Sequence, residues 1–222
     1  MRWKHPDRGL IPVAELIGVA EQTGLIVPLG NWALRRAIVD AIQLTAAPDG
    51  AVRYVSVNVA PRQLRQTGFS TQIGEAVTAA RLDPTRLVVE ITETQLIGDH
   101  DDIWDDLADL RHRGVRIAID DFGTGHASLS YLRHPVVDIV KLGRTFLRDT
   151  TDSRSRSLLR AVVGFIRDLG IELVADGIED DATRTILIDL GVHLGQGPLF
   201  APAMPVVHAR RWTPPSGADA TA

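Results

Sequence analysis

The sequence predicts an α/β fold of the (β/α)8 (TIM) barrel class in which the first strand is largely missing. Short apolar runs alternate along the chain with amphipathic stretches of about ten residues or more, a pattern typical of a parallel sheet buried on both faces. Six or seven such units fit a barrel better than an open doubly wound sheet. The 222 residues are fewer than the roughly 250 typical of this barrel, and two helices precede the first clear strand, so we expect a strand to be missing.

The first part of the chain is expected to form two helices, a strand and a third helix. Apolar residues recur at helical spacing over 13–24 and again over 32–44. The β-branched run at 54–59 predicts a strand that ends before Pro61, because proline cannot continue the hydrogen-bond ladder. A helix is then expected over 71–80.

The rest of the chain continues the alternation of strands and helices. The apolar runs are too short for helices, and the longer stretches between them carry helical periodicity. The expected order is a strand at 87–91, a helix at 101–112, a strand at 115–119, a short helix at 129–132, a strand at 136–141, a helix at 155–169, a strand at 171–175, a helix at 180–190, and weak strands at 193–196 and 199–200.

Composition limits the classes of function. The chain has 24 Lys and Arg against 28 Asp and Glu, so it lacks the excess of positive charge that binds long nucleic acids. It has no cysteine, which excludes disulfides, thiolate metal sites and cysteine nucleophiles. There is no leader-like segment at the amino terminus and no apolar stretch of about 18 residues, so we expect a cytoplasmic protein that does not bind membranes. Residues 1–212 are expected to form one domain and 213–222 a disordered tail.

Polar residues stand where the predicted strands end. In a barrel of this class the chemistry lies at the carboxyl ends of the strands. Acids that converge there repel one another, so they require cations between them, and oxygen ligands favour Mg²⁺ or Mn²⁺ before Ca²⁺ or Zn²⁺. These strand-end residues are Asn58, Glu90, Glu93, Asp120, Asp121, Lys141, Asp176, Glu179 and Gln196.

Each of these residues also has a simpler explanation. A strand-end aspartate such as Asp120 often caps a helix or forms a turn, Asn58 precedes a proline turn, and Lys141 is compatible with an exposed strand end. The Gly-Thr-Gly at 123–125 lacks the Lys-Ser/Thr pair of a phosphate loop. For a single residue both explanations stay open; the repetition on successive strands favours a shared site.

Six separate segments, in order, carry a family resemblance. They lie at 11–16, 21–26, 57–64, 90–93 (Glu-Ile-Thr-Glu), 120–125 (Asp-Asp-Phe-Gly-Thr-Gly) and 128–132. On these segments residues 1–207 resemble the EAL domain, a family that hydrolyses the bacterial messenger cyclic di-GMP to the linear dinucleotide pGpG. The resemblance implies a modified barrel whose first strand is antiparallel to the rest, two bound Mg²⁺ or Mn²⁺ ions, and a homodimer.

The resemblance also implies roles for individual residues. Asn58, Glu90, Asp120 and Asp121 correspond to metal ligands; Lys141 to the cation that orients water or offsets phosphate charge; Glu93 to the support of the 120–125 loop; Gln196 to a glutamine beside the metal-bound water; and Arg2 to an arginine that meets a substrate phosphate. Asp176 stands where the family has a catalytic glutamate.

Three departures from the family pattern lead to alternative functions. The Glu-Ala-Leu motif would lie immediately before Arg2, so we expect its metal-binding glutamate to be absent. Asp176 is shorter than glutamate by about 1.5 Å, and Gly143 replaces an acid. The chain is therefore expected to be a cyclic di-GMP phosphodiesterase with weakened or lost turnover; the alternatives are an inactive module that binds cyclic di-GMP or another protein, or a chain that folds poorly because sheet edges stay open.

Overall fold

The computed structural model describes residues 3–44, 54–93, 101–123, 131–148, 150 and 152–212. The predictions for Arg2 and for the tail at 213–222 lie outside these described residues. Among the helices within them, none has the length and apolar character that crossing a bilayer requires.

The predicted parallel sheet is present. Two short strands, β1 (Trp3–His5) and β2 (Gly9–Ile11), pair with each other as an antiparallel hairpin. Six further strands form one parallel sheet in sequence order, which curls into half of a barrel. They are β3 (Val55–Asn58), β4 (Leu87–Thr92), β5 (Arg116–Phe122), β6 (Ile139–Leu142), β7 (Glu172–Asp176) and β8 (Leu194–Gln196).

Helices alternate with these strands, as the sequence predicts. They are α1 (Val13–Thr23), α2 (Ile26–Gln43), α3 (Pro61–Leu64), α4 (Phe69–Ala79), α5 (Asp101–His112), α6 (Arg144–Leu147), α7 (Ser153–Asp168), α8 (Asp181–Asp189) and α9 (Val206–Ala209). The single turns at Pro84–Arg86 and Tyr131–Arg133 are 3₁₀ helices.

Two local predictions differ from the structure, and one element was not predicted. Helix α2 begins at Ile26 and not at residue 32. Pro28 does not prevent the earlier start, because it lies in the first turn, where backbone N–H groups have no helical partner and proline is tolerated. The β1–β2 hairpin was not predicted, since strands of three residues show no period; the His5 Nδ1 holds its turn by accepting two backbone N–H bonds. The predicted strand at 199–200 is instead a turn, in which the Leu199 N–H donates to the carbonyl of Ile178.

Strand β3 forms one edge of the sheet. Among the described residues no strand pairs with its outer side. A groove of about 660 Å³ runs along this edge between β3 and the helices α1 and α2. Its lining is largely apolar, with Ile17, Leu29 and Trp32 among the contributing side chains.

The inner face of the curled sheet carries an apolar layer that determines where the site lies. Val88, Ala118, Ile139 and Val174, one from each of β4 to β7, form a buried cluster against Tyr54 and Leu194. Successive side chains on a strand point to opposite faces, so residues two positions further along each strand return to the inner face. That step places polar side chains directly above the apolar layer, at the carboxyl ends of the strands.

The opposite, amino-terminal end of the inner face is occupied by an ion pair. Arg116 and Glu172, two residues before Ala118 and Val174, pair at 3.0 Å, and the Arg116 guanidinium lies 5.5 Å from the Tyr54 ring centroid. Burial, and then the Glu172 charge, raise the pKa of the Tyr54 hydroxyl. The inner face therefore has polar groups at both ends and an apolar layer between them.

Candidate functional site

Lys141 is the centre of the site. Its Nζ lies 3.0 Å from Glu90 Oε1 and 3.0 Å from Asp120 Oδ1, and all three side chains are buried. Burial alone lowers the pKa of Lys141, but the two carboxylates outweigh it, so the pKa is raised above the ordinary value. Lys141 is thus a charged ammonium that joins β4, β5 and β6.

Asn58 extends this network to β3. Its Nδ2 donates a 3.1 Å hydrogen bond to Glu90 Oε2, and the two residues face each other in the parallel register. Because the Nδ2 is committed to Glu90, the Oδ1 is the atom that Asn58 can offer to a cation. The structure therefore brings Asn58, Glu90 and Asp120 together around Lys141.

A local irregularity of β5 brings the carboxylates of Asp120 and Asp121 to the same side at the carboxyl end of the sheet. Consecutive residues of a regular strand face opposite sides, but the β5–β6 register shifts between Ile119 and Phe122. Asp121 adopts a left-handed φ of 54°, and its N–H donates to Asp120 Oδ1 at 3.0 Å. This conformation, uncommon for a residue other than glycine, turns the second carboxylate towards the first.

Asp176 completes an acidic cluster. One carboxylate oxygen from each of Asp120, Asp121 and Asp176 lies within 4.8 Å of the others. The shorter side chain at 176 does not keep this carboxylate out of the cluster. Burial, and then the charges of Asp120 and Asp176, raise the pKa of Asp121. Such a cluster favours uptake of positive charge, and its oxygen-only donors fit a hard divalent cation.

Glu93 supports the backbone that follows the two aspartates. It is buried, and its Oε2 accepts a 3.1 Å hydrogen bond from the Gly123 N–H. Among the described residues its Oε1 has no hydrogen-bond partner. Gly123 has a φ of +88°, and a Cβ there would lie 1.9 Å from Phe146 Cε2, so only glycine fits. The bond between Glu93 and Gly123 thus fixes the backbone that follows Asp121 and Phe122.

The EAL domain family model matches residues 1–203. The chain belongs to the EAL family. The Escherichia coli (strain K12) EAL relative named cyclic di-GMP phosphodiesterase PdeR is 35% identical over 96% of this chain and 32% of its own length.

Solved EAL structures share the fold. One is the PaMucR phosphodiesterase in complex with c-di-GMP, from the Pseudomonas aeruginosa protein MucR; it has a TM-score of 0.84 and 34% identity over 94% of this chain and 84% of that one. Another is Klebsiella pneumoniae BlrP1 in a manganese/cyclic di-GMP complex, with a TM-score of 0.70 and 30% identity over 79% of this chain and 44% of that one. The chain spans about a quarter to a third of the length of the curated relatives it matches.

The structure places the other residues singled out in the sequence, Gln196, Gly143 and Arg2, differently. Gln196 ends β8 with an exposed side chain, while its backbone carbonyl accepts bonds from the N–H groups of Gly177 and Ile178. Gly143 precedes α6 as its N-cap residue. Arg2 lies outside the described residues.

One basic residue at this end was missed. The Nη1 of Arg144 lies 3.2 Å from Glu179 Oε1, at the mouth formed by the ends of β6 and β7. Glu179 was among the predicted strand-end residues without an assigned role, and Arg144 was not predicted as a site residue. The signal was present, since Arg144 stands three residues after Lys141, just past the end of a strand.

Proposed function

We propose that this chain hydrolyses cyclic di-GMP to pGpG in a reaction that requires Mg²⁺ or Mn²⁺. The observation that carries the proposal is the clustering of Asp120, Asp121 and Asp176 within 4.8 Å, beside the Glu90–Lys141 ion pair, at the carboxyl ends of the strands. The names of PdeR and PaMucR as phosphodiesterases, and the cyclic di-GMP and manganese of the solved complexes, support the same reaction.

The side chains that would hold divalent cations are those with oxygen donors at the mouth. They are Asn58, Glu90, Asp120 and Asp121, with Asp176 adjoining. When bound, such cations polarise a phosphoryl oxygen and lower the pKa of water.

Hydrolysis to pGpG joins a water oxygen to phosphorus and breaks the P–O3′ bond, leaving the phosphate on the 5′ carbon. The chain's own residues prepare this step in three ways. Lys141 keeps its positive charge between Glu90 and Asp120, which limits their repulsion of a phosphodiester anion. Glu93 holds Gly123, so that the two aspartates preceding it keep their position. The side chain of Gln196, exposed at the end of β8, is available to orient a water or the substrate.

Incubation of the purified protein with cyclic di-GMP and Mg²⁺ or Mn²⁺ tests the proposal, with the nucleotides separated by ion-exchange chromatography. We expect pGpG to form, EDTA to stop its formation, and Asp121→Asn to lower the rate by about 100-fold or more, because charge-stabilising groups of this kind contribute on that order. Asp109→Asn, which removes a carboxylate from a surface ion pair, is the control and should keep the wild-type rate. Binding of the dinucleotide without any pGpG from folded protein at high concentration would reject the enzyme and favour a binding module.

Two expectations stay predictions, a homodimer and a cytoplasmic location. Leu158, Phe165 and Leu169 are exposed at helical spacing on and just after α7, which supports a contact between two copies through this surface. Light scattering on the eluting protein should give twice the chain mass of 24.2 kDa. A monomer at all concentrations would contradict the dimer.

A further inference from the structure

We propose that Arg144 binds the second phosphate of cyclic di-GMP, the one that is not cleaved. The inference rests on the proposed function and adds a substrate-binding residue to it. Arg144 opens α6, directly after the strand that carries Lys141. Its guanidinium pairs with Glu179 at 3.2 Å, and both side chains remain more than half exposed, at 61% and 62%.

The stem of Arg144 lies against the backbone beside the acidic cluster. Gly177, the residue after Asp176, has a φ of +86°, and a Cβ on it would lie 2.8 Å from Arg144 Nε and 2.9 Å from its Cγ. A glycine at 177 therefore gives the arginine stem room to lie flat over the chain. The Gly177 N–H donates to the Gln196 carbonyl at 2.9 Å, which fixes this backbone in place.

The position of Arg144 suits an anion at the rim of the site. The positive charge of Arg144 partly offsets the rise in the pKa of Asp121, so the guanidinium is within electrostatic reach of the acidic cluster. A cavity of about 280 Å³ adjoins it, lined also by Leu147, Arg148 and Gly177. This space is comparable to the lower end of small-molecule pockets.

The exposed Arg144–Glu179 pair contributes little to stability. Water screens both charges of a surface ion pair, and both side chains of this one are more than half exposed. An arginine that is held by a close backbone contact and a carboxylate, yet contributes little to folding, is suited to recognition. Glu179 accepts from one nitrogen of the guanidinium, Nη1, and a guanidinium has five N–H donors in all, so donors remain for a ligand.

The anion assigned to Arg144 is part of the substrate itself. Cyclic di-GMP has two phosphodiesters on opposite sides of its ring, each with one negative charge, and only one of them can occupy the cluster at a time. The other must lie outside it, near a rim that is rich in carboxylates. Lys141 is buried between Glu90 and Asp120, whereas Arg144 presents a solvent-facing cation beside Asp176. A guanidinium binds phosphate oxygens with paired hydrogen bonds.

Steady-state kinetics on two substrates test the proposal. For cyclic di-GMP, Arg144→Gln should raise KM by roughly 10- to 100-fold with kcat little changed, the effect of losing a charge-assisted hydrogen bond made equally in ground and transition states. Arg144→Lys should recover part of this affinity. Bis(p-nitrophenyl) phosphate has a single phosphodiester, so its hydrolysis by Arg144→Gln should match the wild type.

The control and the opposing outcomes separate this inference from the proposed function. Arg8→Gln removes an equally exposed arginine from a surface pair with Glu15 and should leave both substrates unaffected. An unchanged KM for cyclic di-GMP in Arg144→Gln, with an active wild type, would overturn the inference. An equal loss on both substrates would overturn it too, since Arg144 would then act on the reacting centre. A wild type that makes no pGpG would instead reject the proposed function.

Discussion

Replacement of Lys141 by methionine would remove the cation at the centre of the site while keeping a side chain of similar length. The Lys141, Glu90 and Asp120 side chains are only 6%, 5% and 11% exposed, and both Nζ–O distances are 3.0 Å. Removing one partner from a buried ion pair costs about 3–5 kcal/mol, because the remaining charge is left uncompensated. In a chain of this size that corresponds to a fall in Tm of roughly 6–20 °C.

The direction of the Lys141 pKa shift sets the pH range over which this side chain stabilises the protein. The pKa of Lys141 is raised, so its stabilisation is fully present below the ordinary value of 10.5 and is lost as the pH rises through the folded-state pKa. The full effect of Lys141→Met is therefore expected at pH 7. Differential scanning calorimetry at pH 7 in EDTA measures it without interference from metal ions.

Two further variants make the result decisive. Arg8→Met breaks an exposed ion pair and should change the free energy of unfolding by about 1 kcal/mol or less. Adding Glu90→Gln to Lys141→Met removes one of the two uncompensated carboxylates and should recover part of the lost stability. Equal Tm values for Lys141→Met and Arg8→Met, or no recovery in the double variant, would refute the argument that Lys141 stabilises a buried pair of acids.

Three other predictions concern the loop and the acidic groups. The pKa of Asp121 is raised, which means that its ionised form destabilises the metal-free protein. Asp121→Asn should therefore raise the Tm in EDTA at pH 7, and this gain should disappear as the pH falls through the folded-state pKa of Asp121. A lower Tm for the variant at pH 7 would contradict this prediction. Gly123→Ala should destabilise the protein by about 1–3 kcal/mol in urea unfolding, because of its positive φ and the contact with Phe146; unchanged stability would show that the loop adapts. Asp180 caps α8 by accepting hydrogen bonds from the backbone and the hydroxyl of Thr183, and these bonds lower the pKa of Asp180. The stabilisation by the Asp180 carboxylate is therefore present above the ordinary pKa of 3.8 and is lost as the pH falls through the lower folded-state pKa. Asp180→Asn should lose less stability on acidification than the wild type, and equal losses would exclude this contribution.

Local sequence patterns were enough to predict the fold class and the end of the sheet at which polar residues gather. The apolar runs of β4 to β7 and the helical period of α5 are local patterns, and period-two alternation then places Glu90 and Lys141 one step beyond the apolar layer. Local patterns could not show the β1–β2 hairpin, whose strands are too short to have a period, or the turn at 199–200.

Which polar side chains come into contact depends on how the strands pack against one another. Asp120 and Asp121 share one mouth because β5 shifts register against β6, and such a shift depends on the partner strand. The reach of Asp176 into the cluster and the contact of Arg144 with Gly177 depend on backbone positions set by neighbouring strands. Periodicity along one chain segment fixes the face on which a side chain lies, whereas distances between segments follow from how the whole sheet curls and packs.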